Sequence, residues 1–258
     1  MGEVMYFNKD DFSIYYEKHG NKKDNIIILP GWGNTRSTFY HLINKLKNYY
    51  TVYIIDYPGF GRSIFPDKDL TIYDYTNIIR DFIEHENIDN PSIIAHSFGG
   101  RIATLLCGYY KDNINKLVLM DIAGIKPKKS LYLKCKQLLY KVLKKFQYLI
   151  PKRKRNIYLR KLIRLFGSSD YKLLDKNMYN SFKNIVNEDL KYYMKFIDNE
   201  SLIIWGKLDK DTKLSDGKII NNLIKKSKLY ILEEAGHFSY LEYPDYVYKL
   251  IYRFLKDE

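Results

Sequence analysis

The sequence predicts an α/β fold, with a mostly parallel sheet of about eight strands and helices on both of its faces. Short, continuously apolar runs alternate with segments whose apolar residues recur at helical spacing, which is typical of parallel sheets covered on both sides. Residues 126–195 interrupt this alternation with helical patterns alone and predict an inserted helical subdomain. At 258 residues, the chain is long enough for one large domain that carries such an insertion.

The N-terminal half supplies a hairpin and four buried strands. The segments "VMYF" and "FSIYYEKHG" flank the turn "NKDD" and predict the hairpin. The apolar runs at the start of "NIIILPGWGN" and "TVYIIDYPGFGRS", and within "PSIIAHS" and "NKLVLMDIAG", predict four further strands. Residues 36–47, 71–86 and 98–110 carry apolar side chains at helical spacing and predict the helices between them.

The alternation resumes after the insertion. A strand is predicted in "SLIIWGKLD", a helix near residues 217–226, a strand in "KLYILEEAGH" and a closing amphipathic helix over 240–256. We therefore expect a core formed by residues 1–125 and 196–258, with the insertion at 126–195 folded separately upon it.

The insertion begins with an apolar stripe at helical spacing that predicts one helix ending at Pro151. The segment "PKRKRNIYLRKLIRLFG" predicts a second helix, closed by Gly167. The apolar stripe consists of Cys135, Leu138, Leu139, Val142, Phe146 and Leu149.

The positive charge of the chain belongs to this insertion. The whole sequence carries a net charge of +13, but residues 126–195 contain 20 Lys and Arg against 4 Asp and Glu, so that the remainder is at −3. Such asymmetry is typical of nucleic-acid or anionic membrane surfaces. The chain is also crowded with Lys, Ile, Asn and 26 Tyr, and we favour this compositional bias as the explanation. We expect no nucleic-acid partner.

Composition limits the remaining classes of protein. No apolar run approaches the length of a membrane span, and "MGEVMYFNKD" lacks the basic and apolar regions of a secretory signal. Cys107 and Cys135 are too few and too far apart for a disulfide framework or a zinc site. No cluster of His, Cys and carboxylate residues predicts a metal. We therefore expect a cytoplasmic protein without metal or cofactor.

One serine lies where an open parallel sheet presents its reactive groups. Ser97 follows "SIIAH" directly and precedes a predicted helix, and ligands bind beyond the carboxyl ends of strands in such sheets. A sharp strand-to-helix turn needs small residues two positions before and after the serine. Gly99 provides one of them, and Ala95 provides the other with an added methyl group. Taken alone, the pattern also fits an ordinary structural serine.

Two further residues occupy equivalent positions after later strands. Asp209 follows "LIIWG", and His237 follows "LYILEEAG". A serine hydroxyl becomes an effective nucleophile when an imidazole takes its proton, and the imidazole needs a carboxylate that fixes its tautomer and stabilises its cation. These three residue types at three strand ends predict a catalytic triad.

Three neighbouring residues offer alternative assignments. Asp211 and Asp121 are rival acids, because one lies two residues past Asp209 and the other follows the strand before the insertion. We prefer Asp209 because its position after the strand fits the motif best. His96 is adjacent to Ser97, but neighbouring side chains of a strand diverge, so we expect it to pack rather than act as a base.

Five segments, in order, resemble the motifs of the α/β-hydrolase superfamily. They are "LPGWGNT" for the oxyanion loop, "DYPGFGRS" for the loop after the next strand, "AHSFGG" for the nucleophile turn, "WGKLDKD" for the acid turn and "EEAGHFSYLEYPD" for the histidine loop. The resemblance covers nearly all of the chain outside the insertion, and the order Ser, Asp, His is that of this superfamily. Pro30 and Ala95 depart from the residues common at their positions, but neither carries catalytic chemistry.

The resemblance implies a serine hydrolase that cleaves a carboxylic ester or related acyl bond of a small or acyl-chain substrate through an acyl-enzyme. Carried over by position, the backbone N–H groups of Trp32 and Phe98 would hold the oxyanion, and Gly31 would shape the loop. The same triad also supports carbon–carbon bond hydrolysis, thioester cleavage and acyl transfer. A binding protein without turnover, or a lipid binder at a membrane surface, is the alternative of a different class.

In the superfamily, an insertion at this place usually forms a helical cap over the active site. We favour a cap whose apolar stripe covers a pocket over the second interpretation, a basic amphipathic helix on a membrane surface. A basic cap would attract a substrate that bears a carboxylate, a phosphate or an acyl carrier protein. The pair "LPGWGN" and "DYPGFGRS" is similar to that of the pimeloyl-carrier-protein methyl esterases, although both motifs recur widely in the superfamily.

Overall fold

The computed structural model describes residues 3–9, 12–64, 67–126, 138–140, 142–166 and 178–257. The strands are β1 (Glu3–Lys9), β2 (Phe12–His19), β3 (Asn25–Leu29), β4 (Thr51–Ile55), β5 (Ser92–His96), β6 (Leu117–Met120), β7 (Ser201–Gly206) and β8 (Ser227–Leu232). They form one sheet in the order β1-β2-β4-β3-β5-β6-β7-β8. The pairs β1/β2 and β2/β4 are antiparallel and all others are parallel. The predicted mostly parallel sheet of about eight strands is confirmed.

Helices connect these strands. They are α1 (Tyr40–Leu46), α2 (Ile72–His85), α3 (Phe98–Leu105), α4 (Lys152–Phe166), α5 (Tyr179–Asn187), α6 (Lys191–Met194), α7 (Leu214–Leu223), α8 (Ser239–Glu242) and α9 (Pro244–Lys256). Short 3₁₀ turns lie at Arg36–Phe39 and Phe146–Leu149, and a π-helical turn at Leu106–Tyr110. Among the described helices, none has both the length and the apolar character that crossing a bilayer requires.

Two apolar clusters cover the opposite faces of the sheet. Alternate residues of the central strand β3 divide between them, since Ile27 and Leu29 belong to one cluster and Ile26 and Ile28 to the other. Helices α2, α3 and α7 contribute to the first cluster, and α1 and α9 to the second. Burial on both faces explains why this strand is apolar throughout rather than alternating.

The prediction of a single helix over residues 240–256 is wrong about the number of helices. The segment forms two helices, α8 and α9, with Tyr243 between them at φ −129° and ψ 58°. Pro244 is the first residue of α9 and has no N–H group to donate back into α8, so the chain restarts there. The helix predicted at 36–47 begins with a 3₁₀ turn. The helix predicted at 98–110 ends with a π-helical turn.

Between β6 and β7, the described residues form helices and no strand, as the sequence predicts. The last part of this insertion packs on the core, because Met178, Leu190 and Met194 are buried in the first apolar cluster. Among the residues of 138–166 whose side chains the structure describes, in contrast, only Leu162 is buried.

Hydrogen bonds hold the last part of the insertion to the core as well. The buried guanidinium of Arg101, on α3, donates to the backbone carbonyl of Glu188 over 2.9 Å. The backbone N–H of Leu190 donates to the carbonyl of Gly124 over 2.8 Å. Ser181 Oγ accepts a 2.8 Å bond from a backbone N–H in the loop before α2.

The predicted apolar stripe of the insertion faces solvent. The expectation that it covers a pocket is wrong for its described members, because their side chains are 46–80% exposed. The exposed members are Leu138, Leu139, Val142, Phe146 and Leu149, and Cys135 lies outside the described residues.

Gly206 allows the loop after β8 to lie directly against the end of β7. A Cβ atom at this position would lie 2.1 Å from the carbonyl oxygen of Gly236 and 2.6 Å from that of Ala235. Both obstacles are backbone atoms, so they can move only if the whole loop moves. The absence of a side chain at Gly206 thus sets the position of the segment that carries His237.

We expect Gly206→Ala to lower the free energy of unfolding by roughly 1–3 kcal/mol, as overpacking does. Gly236→Ala is the matched control, because its Cβ would meet only the flexible end of Glu242, at 3.2 Å. Urea unfolding of both variants measures the difference. Equal losses of stability would contradict the close backbone approach at Gly206.

Candidate active site

Three side chains from three strand ends meet at the carboxyl edge of the sheet. Ser97 follows β5, Asp209 follows β7 and His237 follows β8. The Nδ1 atom of His237 lies 2.8 Å from Asp209 Oδ2, and its Nε2 atom lies 3.1 Å from Ser97 Oγ. With its proton on Nδ1, the imidazole donates to the carboxylate and accepts from the serine hydroxyl. This arrangement can take the proton of the serine onto a cation that the carboxylate stabilises.

The serine occupies a strained turn. Its backbone lies at φ 48° and ψ −111°, a conformation that side-chain-bearing residues rarely adopt. Gly99 is required there because a Cβ atom would lie 2.0 Å from the carbonyl oxygen of Leu29. Ala95 is fully buried within the first apolar cluster, so its added methyl group is accommodated by packing.

Asp209 is held as an ionised acceptor. Its Oδ1 atom accepts from the backbone N–H groups of Asp211 and Thr212 at 2.7 and 2.9 Å, and the Thr212 hydroxyl lies 2.6 Å from Oδ2. Burial acts to raise the pKa of Asp209, but the hydrogen bond from His237, the charge of that ring and the bonds from Thr212 outweigh it. The pKa of Asp209 therefore lies below its ordinary value.

The pKa of His237 is shifted in the opposite direction from that of Asp209. Burial acts to lower the pKa of His237, but the hydrogen bond to Asp209 and the negative charge of Asp209 outweigh it, so that the pKa is raised above its ordinary value. A raised pKa makes this imidazole a better proton acceptor from Ser97, and it also means that the ring becomes protonated and inactive as a base at a higher pH.

The rival acids contact other groups. Asp121 is fully buried and accepts from the backbone N–H of Gly206 at 2.7 Å and from Ser239 Oγ at 2.5 Å. Burial raises the pKa of Asp121 to about 7, against the effect of these two hydrogen bonds. Asp211 contributes a backbone N–H to Asp209, and its own side chain is exposed. Of the three candidates, Asp209 is the one within hydrogen-bonding distance of His237.

The backbone groups predicted to hold an oxyanion belong to Phe98, directly after Ser97, and to Trp32 in the loop after β3. Phe98 is the first residue of α3, so its N–H group has no acceptor within the helix. Gly31 brings the preceding loop against the serine, because a Cβ atom there would lie 3.2 Å from Ser97 Cβ. Trp32 follows Gly31 directly, which places its backbone N–H in the same loop.

His96 makes two hydrogen bonds that sequence analysis did not foresee. Its Nε2 atom lies 2.8 Å from the backbone carbonyl of His237, which can only accept, so the proton is on Nε2. Its Nδ1 atom then accepts from Asn34 Nδ2 at 3.3 Å. Burial, with the charge of His237 second, lowers the pKa of His96 to about 3 and keeps it neutral. The ring thus connects the loop of Gly31 with the histidine loop.

An aromatic cluster lies next to these backbone groups. The Trp32 ring contacts four other rings at centroid distances of 4.8–5.9 Å, those of Phe60, Tyr75, Phe98 and Phe182. Phe182 belongs to α5, so the insertion contributes directly to the surroundings of the site. Trp32 Nε1 is buried and has no hydrogen-bond partner among the described residues. A buried indole N–H normally finds a partner, so this donor is an exception among the described residues.

Asp209, Asp211 and His237 are also the one group of His, Cys, Asp and Glu side chains in the described regions with ligand atoms close enough for a metal, within 4.8 Å of one another. The Asp209 oxygens already accept from three residues, and His237 Nδ1 donates to one of them. A metal would have to displace these bonds. The donor set therefore fits proton transfer better than metal binding.

Comparison with known proteins agrees with the geometry. Residues 24–244 match the family model of the alpha/beta hydrolase fold. A pimeloyl-[acyl-carrier protein] methyl ester esterase of Wigglesworthia glossinidia brevipalpis is 27% identical over 92% of this chain and 95% of its own. A monoacylglycerol lipase of Mus musculus is 26% identical over 98% of this chain and 82% of its own.

A solved structure extends the likeness to three dimensions. The enol-lactonase of Burkholderia xenovorans LB400 superimposes with a TM-score of 0.75, covering 98% of this chain and 100% of that one. At 18% identity, this likeness shows the shared fold and nothing about the substrate.

We expect Asp209→Asn to lower kcat by roughly 10³–10⁴-fold, because an amide neither stabilises the imidazolium nor enforces its tautomer. The substitution removes the two largest effects that raise the pKa of His237, the hydrogen bond to Asp209 and the charge of Asp209, and leaves the burial that lowers it. The acidic limb of the pH profile of kcat/KM therefore shifts to lower pH in the variant. Steady-state kinetics across the pH range measure both effects.

Asp211→Asn is the matched control for this experiment. Its side chain is exposed, and the backbone N–H that it supplies to Asp209 is retained in the variant. We expect kcat to stay within about threefold of the wild type, as for a surface substitution. If Asp211→Asn lost as much activity as Asp209→Asn, the assignment of the acid would be wrong.

We expect His96→Phe to lower kcat by roughly tenfold with little change in KM, since one lost hydrogen bond of about 1.4 kcal/mol at the catalytic loop has that effect on a rate. His96→Gln retains an N–H donor near the position of Nε2 and should recover part of the activity. Kinetics and thermal unfolding of both variants separate the role of His96 in positioning the loop from its role in packing. Equal activity of the two variants would indicate that His96 only fills space.

Proposed function

The chain belongs to the α/β-hydrolase fold family, and on that premise we propose that it is a serine hydrolase that cleaves a carboxylic ester through an acyl-enzyme. The observation that supports this proposal most directly is the position of His237, whose two ring nitrogens contact Ser97 Oγ and Asp209 at the same time. In this proposal Ser97 is the nucleophile, His237 the general base and Asp209 the residue that orients and stabilises the imidazole.

In the first half of the reaction, Ser97 Oγ attacks the acyl carbon of the ester while its proton passes to His237 Nε2. The carbonyl oxygen becomes an oxyanion, which the backbone N–H groups of Trp32 and Phe98 bind. The tetrahedral intermediate collapses when the alkoxide leaves, and His237 gives the same proton to that oxygen. An alcohol departs, and the acyl group stays on the serine.

In the second half, a water molecule takes the place of the alcohol. His237 accepts one of its protons, and the resulting hydroxide attacks the acyl carbon, whose oxygen accepts from the same backbone N–H groups. Ser97 leaves as the alcohol form when His237 returns the proton to Oγ. The carboxylic acid is released, and the resting state of the three side chains is restored.

The substrate we propose carries an apolar acyl chain. The aromatic rings around Trp32 offer an apolar surface next to the proposed oxyanion site. The relatives from Wigglesworthia glossinidia brevipalpis and Mus musculus are both named for acyl ester substrates, which agrees with this choice.

We further propose that residues 126–195 act as a cap upon a core of residues 1–125 and 196–258. Phe182 of α5 supports this role, because its ring contacts Trp32 at 5.3 Å and so closes one side of the proposed acyl site. We place the enzyme in the cytoplasm, in agreement with its small number of cysteines, of which Cys107 is buried as a free thiol.

A fluorophosphonate probe tests the proposed nucleophile. We expect covalent labelling of the wild-type protein on Ser97, and loss of both labelling and ester hydrolysis in Ser97→Ala, because the probe reacts only with an activated serine. Intact-protein mass spectrometry after labelling gives the stoichiometry, and peptide mapping gives the residue.

Ser215→Ala serves as the control, since Ser215 is exposed and lies outside the three contacts described above. Labelling that persists in Ser97→Ala would refute the assignment of the nucleophile. A wild-type protein that binds acyl esters but is neither labelled nor active would instead be a non-catalytic binding protein of this fold.

A further inference from the structure

The outer part of the insertion exposes an unusual number of large apolar side chains. We call the described residues of 138–166 the outer segment. Eight of its apolar or aromatic residues are at least 46% exposed, and Leu149 and Leu165 reach 80% and 69%. The other six are Leu138, Leu139, Val142, Phe146, Tyr148 and Ile157. Exposed apolar groups at this density indicate a surface that contacts something other than water.

The same stretch is strongly basic. Residues 138–166 contain ten Lys and Arg and no Asp or Glu. Lys144 and Lys145 lie between Val142 and Phe146, and all four side chains are exposed. Basic and apolar groups thus share one surface without an acidic residue in the segment that could pair with them.

Helix α4 orders these groups on its outward side. Leu162 is buried, whereas Ile157, Lys161 and Leu165, spaced four residues apart, are exposed. At the start of the helix, Lys152, Arg153 and Lys154 are exposed as well. This helix therefore uses one side to rest on the protein and presents a mixed basic and apolar side to its surroundings.

We propose that the outer segment is a docking surface for an anionic lipid bilayer. A bilayer interface accepts both classes of side chain at once, because the headgroups attract Lys and Arg while the acyl boundary takes Leu, Ile, Val and Phe. The surface of a nucleic acid satisfies the charges but leaves the apolar side chains in water. The charge complementarity and the exposed apolar groups together favour the bilayer.

The proposal does not rest on the proposed catalytic activity, since it concerns surface residues away from the three contacts of Ser97, Asp209 and His237. It also explains why the apolar stripe is exposed, which the pocket-covering interpretation does not explain. Docking there would bring the insertion that contacts the site through Phe182 to the lipid surface.

Vesicle flotation with the full-length protein tests the proposal. We expect the protein to float with phosphatidylcholine vesicles that contain phosphatidylglycerol and to remain behind with pure phosphatidylcholine. At 1 M salt, where the screening length is about 3 Å, flotation should fall at least about fivefold. Equal flotation with both kinds of vesicle, or with neither, would overturn the proposal.

A triple charge reversal at the start of α4 tests the basic component. Lys152→Glu, Arg153→Glu and Lys154→Glu together should lower flotation at least about fivefold at low salt. Glutamates in the first turn of a helix interact favourably with its dipole, so the variant should retain the helix, which circular dichroism and thermal unfolding check. Unchanged flotation of this variant would contradict the proposal.

The matched control reverses the charge of three exposed lysines outside the insertion, around the start of β8. These are Lys225, Lys226 and Lys228. This control changes the net charge by the same amount as the test variant. We expect it to retain at least about half of the flotation of the wild type, because the lipid interaction falls off within a screening length. An equal loss in both triple variants would show attraction by net charge alone and overturn the proposed surface.

A second variant tests the apolar component and separates a lipid from a polyanion. Phe146→Ser with Leu149→Ser should lower flotation at least about threefold, whereas Ile219→Ser with Tyr246→Ser, exposed elsewhere, should not. If Phe146→Ser with Leu149→Ser floats like the wild type, or if duplex DNA is bound in preference to anionic vesicles, the surface binds polyanions and the lipid proposal fails.

Discussion

The shared direction of β4, β3, β5, β6, β7 and β8 is the constraint on which the candidate site depends. It brings the loops after β5, β7 and β8 to one edge, although 140 residues separate Ser97 from His237. The strand β6 lies between the serine and the acid, and Asp121 at its end binds both Gly206 and Ser239. That buried carboxyl group therefore joins the end of β7 to the loop that presents the imidazole.

The two histidines at this edge illustrate how contacts decide function. Their ring centroids are 4.9 Å apart, yet their pKa values move in opposite directions from the same starting value. His237 faces the carboxylate of Asp209, which favours its cation, whereas His96 faces a backbone carbonyl and the amide of Asn34, which suit a neutral ring. One ring is thus suited to accept a proton, and the other to keep two loops at a fixed separation.

Sequence reasoning reached the sheet, its helices and the three meeting side chains, because apolar periodicity and strand ends are local properties. It failed where the outcome depends on contacts between distant segments. The bonds of His96 depend on loops that meet only in the folded chain, and its sequence neighbours carry no sign of them. The stripe from Leu138 to Leu149 has the same periodicity whether it is covered or exposed, so its pattern predicted a helix and could not predict its environment.

The two parts of the insertion are attached to the core to different extents, so substitutions in them have different effects. The segment 178–194 is held by buried side chains and by hydrogen bonds to Arg101 and Gly124, whereas Leu162 is the one buried residue among the described side chains of the outer segment. Substitutions in the outer segment therefore leave the anchored part, and with it Phe182, in place. The surface that we propose for lipid docking can therefore change in sequence independently of the candidate active site.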